Sequence, residues 1–277
     1  MPADELAPSS VARVKVVKTE SNETASDSVV VEEPLEIRIK RGADEQQLGI
    51  TMRTPGADLE LAAGFLWGEG FLKDPAELIS VKVCADKSLS LRQRANVVIA
   101  EVAPTSAESI RILERRFTIT SACGVCGSTN ISDLHKRGIQ KVSKSEHSIQ
   151  ELAKMVELLE GRQRIFEKTG GLHAAALINP EGKAVWVRED VGRHNAVDKV
   201  IGAALMDHKI PLCDWTLVVS GRVGYELVQK AVCAGISALV GVSAPTSLAI
   251  DLAHEFGLTL LAFARNGQAK QFLPSIG

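Results

Sequence analysis

Hydrophobic and polar positions change rhythm twice along the chain. Residues 1–28 are rich in Ser, Glu, Thr and Asp and show little periodicity, which predicts a flexible tail. Beyond it, Leu35-Glu36-Ile37-Arg38-Ile39-Lys40 alternates apolar and charged side chains, the two-residue period of a half-buried strand. Thr54-Pro55-Gly56 reads as a turn. Asp58 then reads as the cap of a helix running from Leu59 to about Leu72, with Leu61, Phe65 and Leu66 on one face. Segments 79–84, 88–93 and 96–102 read as short strands, so residues 29–120 are expected to form a small α+β region.

The rhythm is lost over residues 104–146. This stretch holds Cys123-Gly124-Val125-Cys126-Gly127, then Ser128-Thr129-Asn130, then the basic Lys136, Arg137, Lys141 and Lys144. A long segment without pattern inside a compact protein is usually functional or disordered, and the cysteines favour the former. Residues 121–147 are expected to be a mobile two-cysteine loop and linker.

Periodicity returns at residue 148. Leu152, Met155, Leu158 and Leu159 predict one long helix over 148–168. Strands are predicted at 172–178 and 183–188, joined by the turn Asn179-Pro180-Glu181-Gly182. A helix follows at 192–206, then strand 215–220, helix 223–236, strand 238–243, helix 246–256 and strand 258–264. Apolar strands alternating with helices predict an α/β domain over 148–277. Its mixed sheet would carry helices on both faces, with the last three strands parallel.

This element order looks like the cytidine deaminase fold. The deaminase chemistry requires H-x-E at one helix start and P-C-x-x-C at the next. Here the first helix opens with His194-Asn195-Ala196 and the second with Gly221-Arg222-Val223-Gly224-Tyr225. The general acid/base and the zinc cysteines are both missing, so a zinc deaminase reaction is not expected.

Composition narrows the classes further. With 277 residues, 45% apolar, 24% charged and a net charge of −2, the chain has no global attraction for nucleic acid or anionic membrane. No apolar run approaches the roughly 20 residues of a membrane helix, and Met1-Pro2-Ala3-Asp4-Glu5 is unlike a signal peptide. A cytoplasmic location is expected. Five cysteines make no even disulfide framework, and Cys84, Cys213 and Cys233 read as small buried hydrophobes.

Cys123 and Cys126 admit four readings. A structural zinc site needs four ligands; His135 could be a third, but no fourth is evident. A thioredoxin-like site needs a helix within a βαβ pattern, which the short polar Ser128–Leu134 does not supply. An inert thiol pair is the third reading. A mobile nucleophilic thiol carrying a covalent group is the fourth and is favoured, with no metal site assigned.

Ligands of open α/β sheets gather at the carboxyl ends of strands. Arg193, Arg222 and Arg265 all fall there, in the segments Arg188–Asn195, Ser220–Glu226 and Phe263–Gln268, and Ser243–Ser247 lies there too. Guanidinium forks suit a phosphate-bearing, nucleotide-like ligand. Neither G-x-x-x-x-G-K-[ST] nor G-x-G-x-x-G is present. His173, among the small residues of Gly170-Gly171-Leu172-His173-Ala174-Ala175, reads equally as a structural group or a ligand contact.

Together, Cys123–Gly127, His173–Ala176, Glu189–Lys199, Ser220-Gly221-Arg222 with Tyr225-Glu226, and Ser243–Thr246 resemble the FdhD family of formate dehydrogenase accessory sulfurtransferases. The resemblance spans residues 30 to 268 and implies a deaminase-like fold. It implies a sulfur carrier that takes persulfide sulfur from a cysteine desulfurase. The acceptor would be the molybdenum cofactor, as bis(molybdopterin guanine dinucleotide), of the formate dehydrogenase catalytic subunit.

By the same resemblance, Cys123 is the persulfide carrier and Cys126 an assisting thiol. Phe263, Ala264, Arg265, Asn266, Gly267 and Gln268 are the cofactor-binding stretch, with Arg193, His194, Arg222 and His173 as further candidates. A homodimer is also implied. The alternative is a non-catalytic cofactor-binding chaperone whose cysteines are structural or zinc-bound.

Overall fold

The computed structural model describes residues 9–104 and 131–273. A four-stranded sheet in the order β4-β3-β6-β5 is built from β3 (Glu33–Arg41), β4 (Asp44–Arg53), β5 (Leu78–Val83) and β6 (Val97–Val102). In β3, Leu35, Ile37 and Ile39 are buried while the residues between them reach the surface, as the alternation predicts. Helix α1 (Asp58–Glu69) packs across the buried face. Asp58 does not cap it. Ala57 holds that position with φ 56°, and Asp58 pairs instead with the fully buried Arg53 at 2.9 Å.

The larger sheet has the order β12-β11-β10-β9-β7-β8. Its strands are β7 (His173–Ile178), β8 (Ala184–Asp190), β9 (Thr216–Val219), β10 (Ala238–Gly241), β11 (Thr259–Arg265) and β12 (Gln268–Gln271). β9, β10 and β11 are mutually parallel, and β7 runs antiparallel to both β8 and β9. One face is covered by α6 (Arg193–Met206), α7 (Tyr225–Cys233) and α8 (Ser247–Phe256), reached by Ala175, Leu177, Leu217 and Leu239. Ala174, Ala176, Ile178 and Val218 face the other way, against Leu152, Met155, Val156 and Leu159. Helices therefore lie on both faces, as expected for a mixed α/β sheet.

The two sheets share one core, because α1 and α6 pack directly on each other. Gly64 and Gly202 permit this approach. A Cβ on Gly64 would overlap the Asp198 carbonyl, and one on Gly202 would overlap the Glu60 carbonyl.

Several expectations are corrected. Residues 11–30 are not a featureless tail but an antiparallel hairpin of β1 (Val11–Val17) and β2 (Thr24–Val30). The strand expected at 88–93 is replaced by α2 (Leu91–Ala95). Ser90 and Gln93 form a reciprocal capping box, which supplies partners for the first helical N–H groups. α3 (Ile131–Lys136) lies within the segment 121–147 expected to be loop and linker. The single helix over 148–168 is broken into α4 (Ile149–Lys154), a 3₁₀ turn at Met155–Leu159 and α5 (Phe166–Thr169). Gly161, at φ 68°, and Gly170, at φ 66°, take left-handed conformations that a helix interior does not use. Cys84 and Cys233 are buried, but Cys213 is exposed. Among the described residues no helix is long and apolar enough to cross a membrane.

Candidate functional site

Strand direction assembles the site. Because β7 is antiparallel to β9, its first residue, His173, lies at the edge where β9, β10 and β11 end. His173 also pairs with Asp190, the last residue of β8, so α6 begins at this edge as well. A cavity of about 780 Å³ opens here. His173, Ser220, Val242, Ala264, Arg265 and Asn266 line its strand-end side, and Val156, Glu157 and Leu159 of the 3₁₀ turn, with Glu160 just after it, line another wall. Gln163, Phe166 and Gly170–Leu172 complete it. Its volume falls within the roughly 300–1,000 Å³ of small-molecule sites.

The β7 end of the edge is cationic. Burial pushes the His173 imidazole below its ordinary range, and the positive fields of Arg193, His194 and Arg222 push the same way against Asp190. Gly221 leaves room for this crowding, since a Cβ there would sit 3.2 Å from His173 Nδ1 and 3.4 Å from Arg193 Cβ. Ser220 Oγ accepts the Ala174 N–H at 2.8 Å, which ties β7 to the end of β9. Arg193 Nε and His194 Nε2 are buried without a hydrogen-bond partner among the described residues. The His194 ring lies 3.7 Å from Glu226, an ion-pair distance longer than a hydrogen bond. His194 is the largest cause, with Arg193 adding, that holds the Glu226 carboxyl at about 2.

The loops carrying these groups are fixed from behind. Asp190, fully buried, receives Lys199 Nζ at 2.7 Å, the Gly192 N–H at 2.8 Å and Asn195 Nδ2 at 3.0 Å. Lys199 also donates to the Thr54 carbonyl at 2.9 Å, and Asn195 to the Met52 carbonyl at 2.8 Å. The Glu189–Lys199 motif is thus a clip that holds the start of α6 against the end of β4. Val223 and Thr246 exchange backbone bonds across the neighbouring turns: Val223 N–H donates to Ala244 and Thr246 N–H to Val223, each at 3.0 Å. Thr246 also caps α8 through the Ala249 N–H.

The expected binding stretch divides. Ala264, Arg265 and Asn266 line the cavity; Phe263, Gly267 and Gln268 do not. Phe263 has φ 55° and is 47% exposed, with Lys270 Nζ 5.1 Å from its ring centre. Gln268 begins β12, paired with Arg265. Arg193, His194 and Arg222 stand next to His173 rather than in the cavity lining. Cys123 and Cys126 lie outside the described residues.

His135, weighed as a metal ligand, is 2.9 Å from Glu255 and stacks on Phe256. The wall at residues 156–166 was missed because an unbroken helix was expected there. Gly161 was the available signal.

Residues 30–274 match the model of the FdhD/NarQ family. Proteins called sulfur carrier protein FdhD are similar over most of their length. That of Streptomyces avermitilis is 46% identical, covering 87% of this chain and 86% of its own. That of Sulfurisphaera tokodaii is 40% identical, covering 92% and 94%. A crystal structure from Desulfotalea psychrophila, described as a candidate formate dehydrogenase accessory protein, shares the fold with a TM-score of 0.69 and 22% identity, covering 95% of this chain and 96% of that one. With the family pattern running through both sheets and the strand-end cavity, the chain belongs to the FdhD/NarQ family.

Proposed function

We propose that this chain is a sulfurtransferase that carries sulfur for formate dehydrogenase, with Cys123 as carrier and the strand-end cavity as the place where the acceptor binds. The observation that carries the reading is the cavity itself, with Arg265 and His173 in its lining and Arg193 and Arg222 beside it. The naming of relatives 40–46% identical as sulfur carriers supports the same reading.

The acceptor under this proposal is Mo-bis(molybdopterin guanine dinucleotide), a substrate that passes through. The donor set suits an anionic, nucleotide-bearing molecule. Among the described residues Arg193 Nε is buried without a hydrogen-bond partner, and Gly221 puts no side chain between His173 and Arg193. Arg193, Arg222 and Arg265 would hold phosphates, and Ala264 and Asn266 would pack along the ligand.

The sulfur moves by thiol–persulfide exchange. The Cys123 thiolate attacks the outer sulfur of the desulfurase persulfide. A new S–S bond forms on Cys123 as the donor's S–S bond breaks, and the donor cysteine leaves as thiolate. Cys126 assists release by attacking the Cys123 sulfur and expelling the terminal sulfur as hydrosulfide. The resulting Cys123–Cys126 disulfide is then reduced by two equivalents of a cellular thiol, which leave joined as their own disulfide. The partners are a cysteine desulfurase and the formate dehydrogenase catalytic subunit, the protein works as a homodimer, and the setting is the cytoplasm.

The test is intact-peptide mass spectrometry after incubation with desulfurase and cysteine. One added sulfur on the peptide carrying Cys123, lost in Cys123→Ala, is the expected result. Unreactive thiols with stoichiometric zinc would instead support a cofactor-binding chaperone.

A further inference from the structure

Sulfur delivery as proposed above leaves one proton without a destination. Hydrosulfide expelled at the cavity carries an S–H bond, and its sulfur is handed on as sulfide only if a base takes that proton. Four titratable side chains line the cavity: Glu157, Glu160, His173 and Arg265. Arg265 cannot take a proton, because a guanidinium stays protonated in proteins. A carboxylate is ordinarily a weaker base than an imidazole, whose proton exchange lies closest to neutral pH. The chemistry of the lining therefore singles out His173.

Its surroundings suit a base. His173 is half-buried, and among the described residues neither ring nitrogen makes a hydrogen bond. The Nδ1 edge of the ring lies over Gly221, where a Cβ would come within 3.2 Å of Nδ1 and 3.5 Å of Cε1. Burial disfavours the charged ring. Arg193 and His194 at the start of α6 and Arg222 in the turn after β9 disfavour it too, with Asp190 at the end of β8 opposing them. The ring is held neutral, so one nitrogen keeps a lone pair. The same guanidinium groups attract a sulfur anion to this end of the cavity. His194 differs: it lies 3.7 Å from Glu226 and outside the lining.

Resting on the reading of this chain as a sulfur carrier with its acceptor in the cavity, we propose that His173 is the general base of the delivery step. The proton of hydrosulfide passes to the unprotonated ring nitrogen. The S–H electron pair stays on sulfur and forms the bond to the acceptor. Arg193 and Arg222 offset the negative charge that builds on sulfur. The imidazolium, beside two guanidinium groups, then gives its proton to water and the neutral ring is restored. No oxidant or reductant takes part in this step.

The test follows sulfur itself, with the full chain, a cysteine desulfurase, cysteine carrying radioactive sulfur, and sulfur-free Mo-bis(molybdopterin guanine dinucleotide). Label bound to Cys123 reads loading, and label bound to the acceptor reads delivery. His173→Gln should load as the unaltered protein does and deliver about a hundredfold more slowly. His173→Ala should be equally slow. Added imidazole should restore its delivery, and more basic imidazoles should do so more strongly, a response that a ring needed only for packing would not give. Delivery by the unaltered protein should begin to fall only below pH 6.5, the ordinary imidazole value, and that fall should be absent from His173→Gln. Delivery by His173→Gln within about threefold of the unaltered protein, or no response of His173→Ala to imidazole, would overturn the assignment and leave the carrier reading standing. Absence of label from Cys123 in the unaltered protein would overturn both.

Discussion

The helical seam between the two sheets and the strand-end cavity treat polar groups in opposite ways. In the seam, buried charge is paired. Arg53 meets Asp58, Asp190 meets Lys199, and Lys230 is 2.8 Å from Asp198 and 3.1 Å from Glu69, while the half-buried Glu60 takes Arg188 at 2.5 Å. Burial disfavours the Lys230 charge, but Asp198 and Glu69 outweigh it and hold the lysine protonated. At the cavity edge, Arg193 Nε and His194 Nε2 are buried without hydrogen-bond partners among the described residues. Buried polar groups are expensive to leave unmatched. Arg94 Nε and Thr216 Oγ1 are unmatched elsewhere, so a missing partner alone does not mark a site; under the proposed function the two nitrogens at the cavity edge are the donors placed where the acceptor would meet them.

The contrast can be broken most severely in the seam. Lys199→Met leaves Asp190 buried with its principal cation gone, and should cost on the order of 3–5 kcal/mol in urea unfolding. A loss below about 1 kcal/mol would show that the clip is not structural. Gly202→Ala places a methyl group against the Glu60 carbonyl. It should cost about 3 kcal/mol, the upper end of ordinary overpacking, because backbone must move. Unchanged thermal unfolding would mean that the α1–α6 contact is looser than described.

Effects at the edge should be smaller and of a different kind. Glu226 is held at about 2, against an ordinary 4.5. As pH falls, the unfolded chain takes up that proton first, so the stability this carboxylate contributes is present above 4.5 and is lost as pH falls toward 2. Glu226→Gln should flatten part of the acid-induced decline in unfolding free energy over that window, and identical profiles would remove the His194–Glu226 coupling. Arg222→Ala, at an exposed position, should change stability by no more than about 0.5 kcal/mol. A larger loss would place Arg222 with the seam residues.

Much of the fold was legible where one physical signal dominated. Continuous apolar runs marked β7, β9, β10 and β11, because strands buried on both faces leave no room for polar residues. The signal failed where local hydrogen bonding competed with pattern, as at Ser90, whose capping box turned an expected strand into a helix. β4 was hidden because Gln46, Gln47 and Gly49 blur its alternation, and a bulge opposite Ile37–Arg38 shifts its register. In the site, Arg265, Asn266 and His173 could be placed from strand ends alone. Glu157 could not, since its wall depends on a 3₁₀ turn that helical spacing does not distinguish from an α-helix. The paired seam was unreadable for a related reason: Thr54 and Lys199 meet across 145 positions of chain.

The proposal that sulfur rides on Cys123 is tested most directly by the mass of the peptide that carries it, after the protein has met a cysteine desulfurase and cysteine. The account predicts one added sulfur, removable by a thiol reductant and absent in Cys123→Ala. A Cys123 peptide that gains no sulfur while the desulfurase turns over, together with full formate dehydrogenase activity supported by Cys123→Ala, would contradict it.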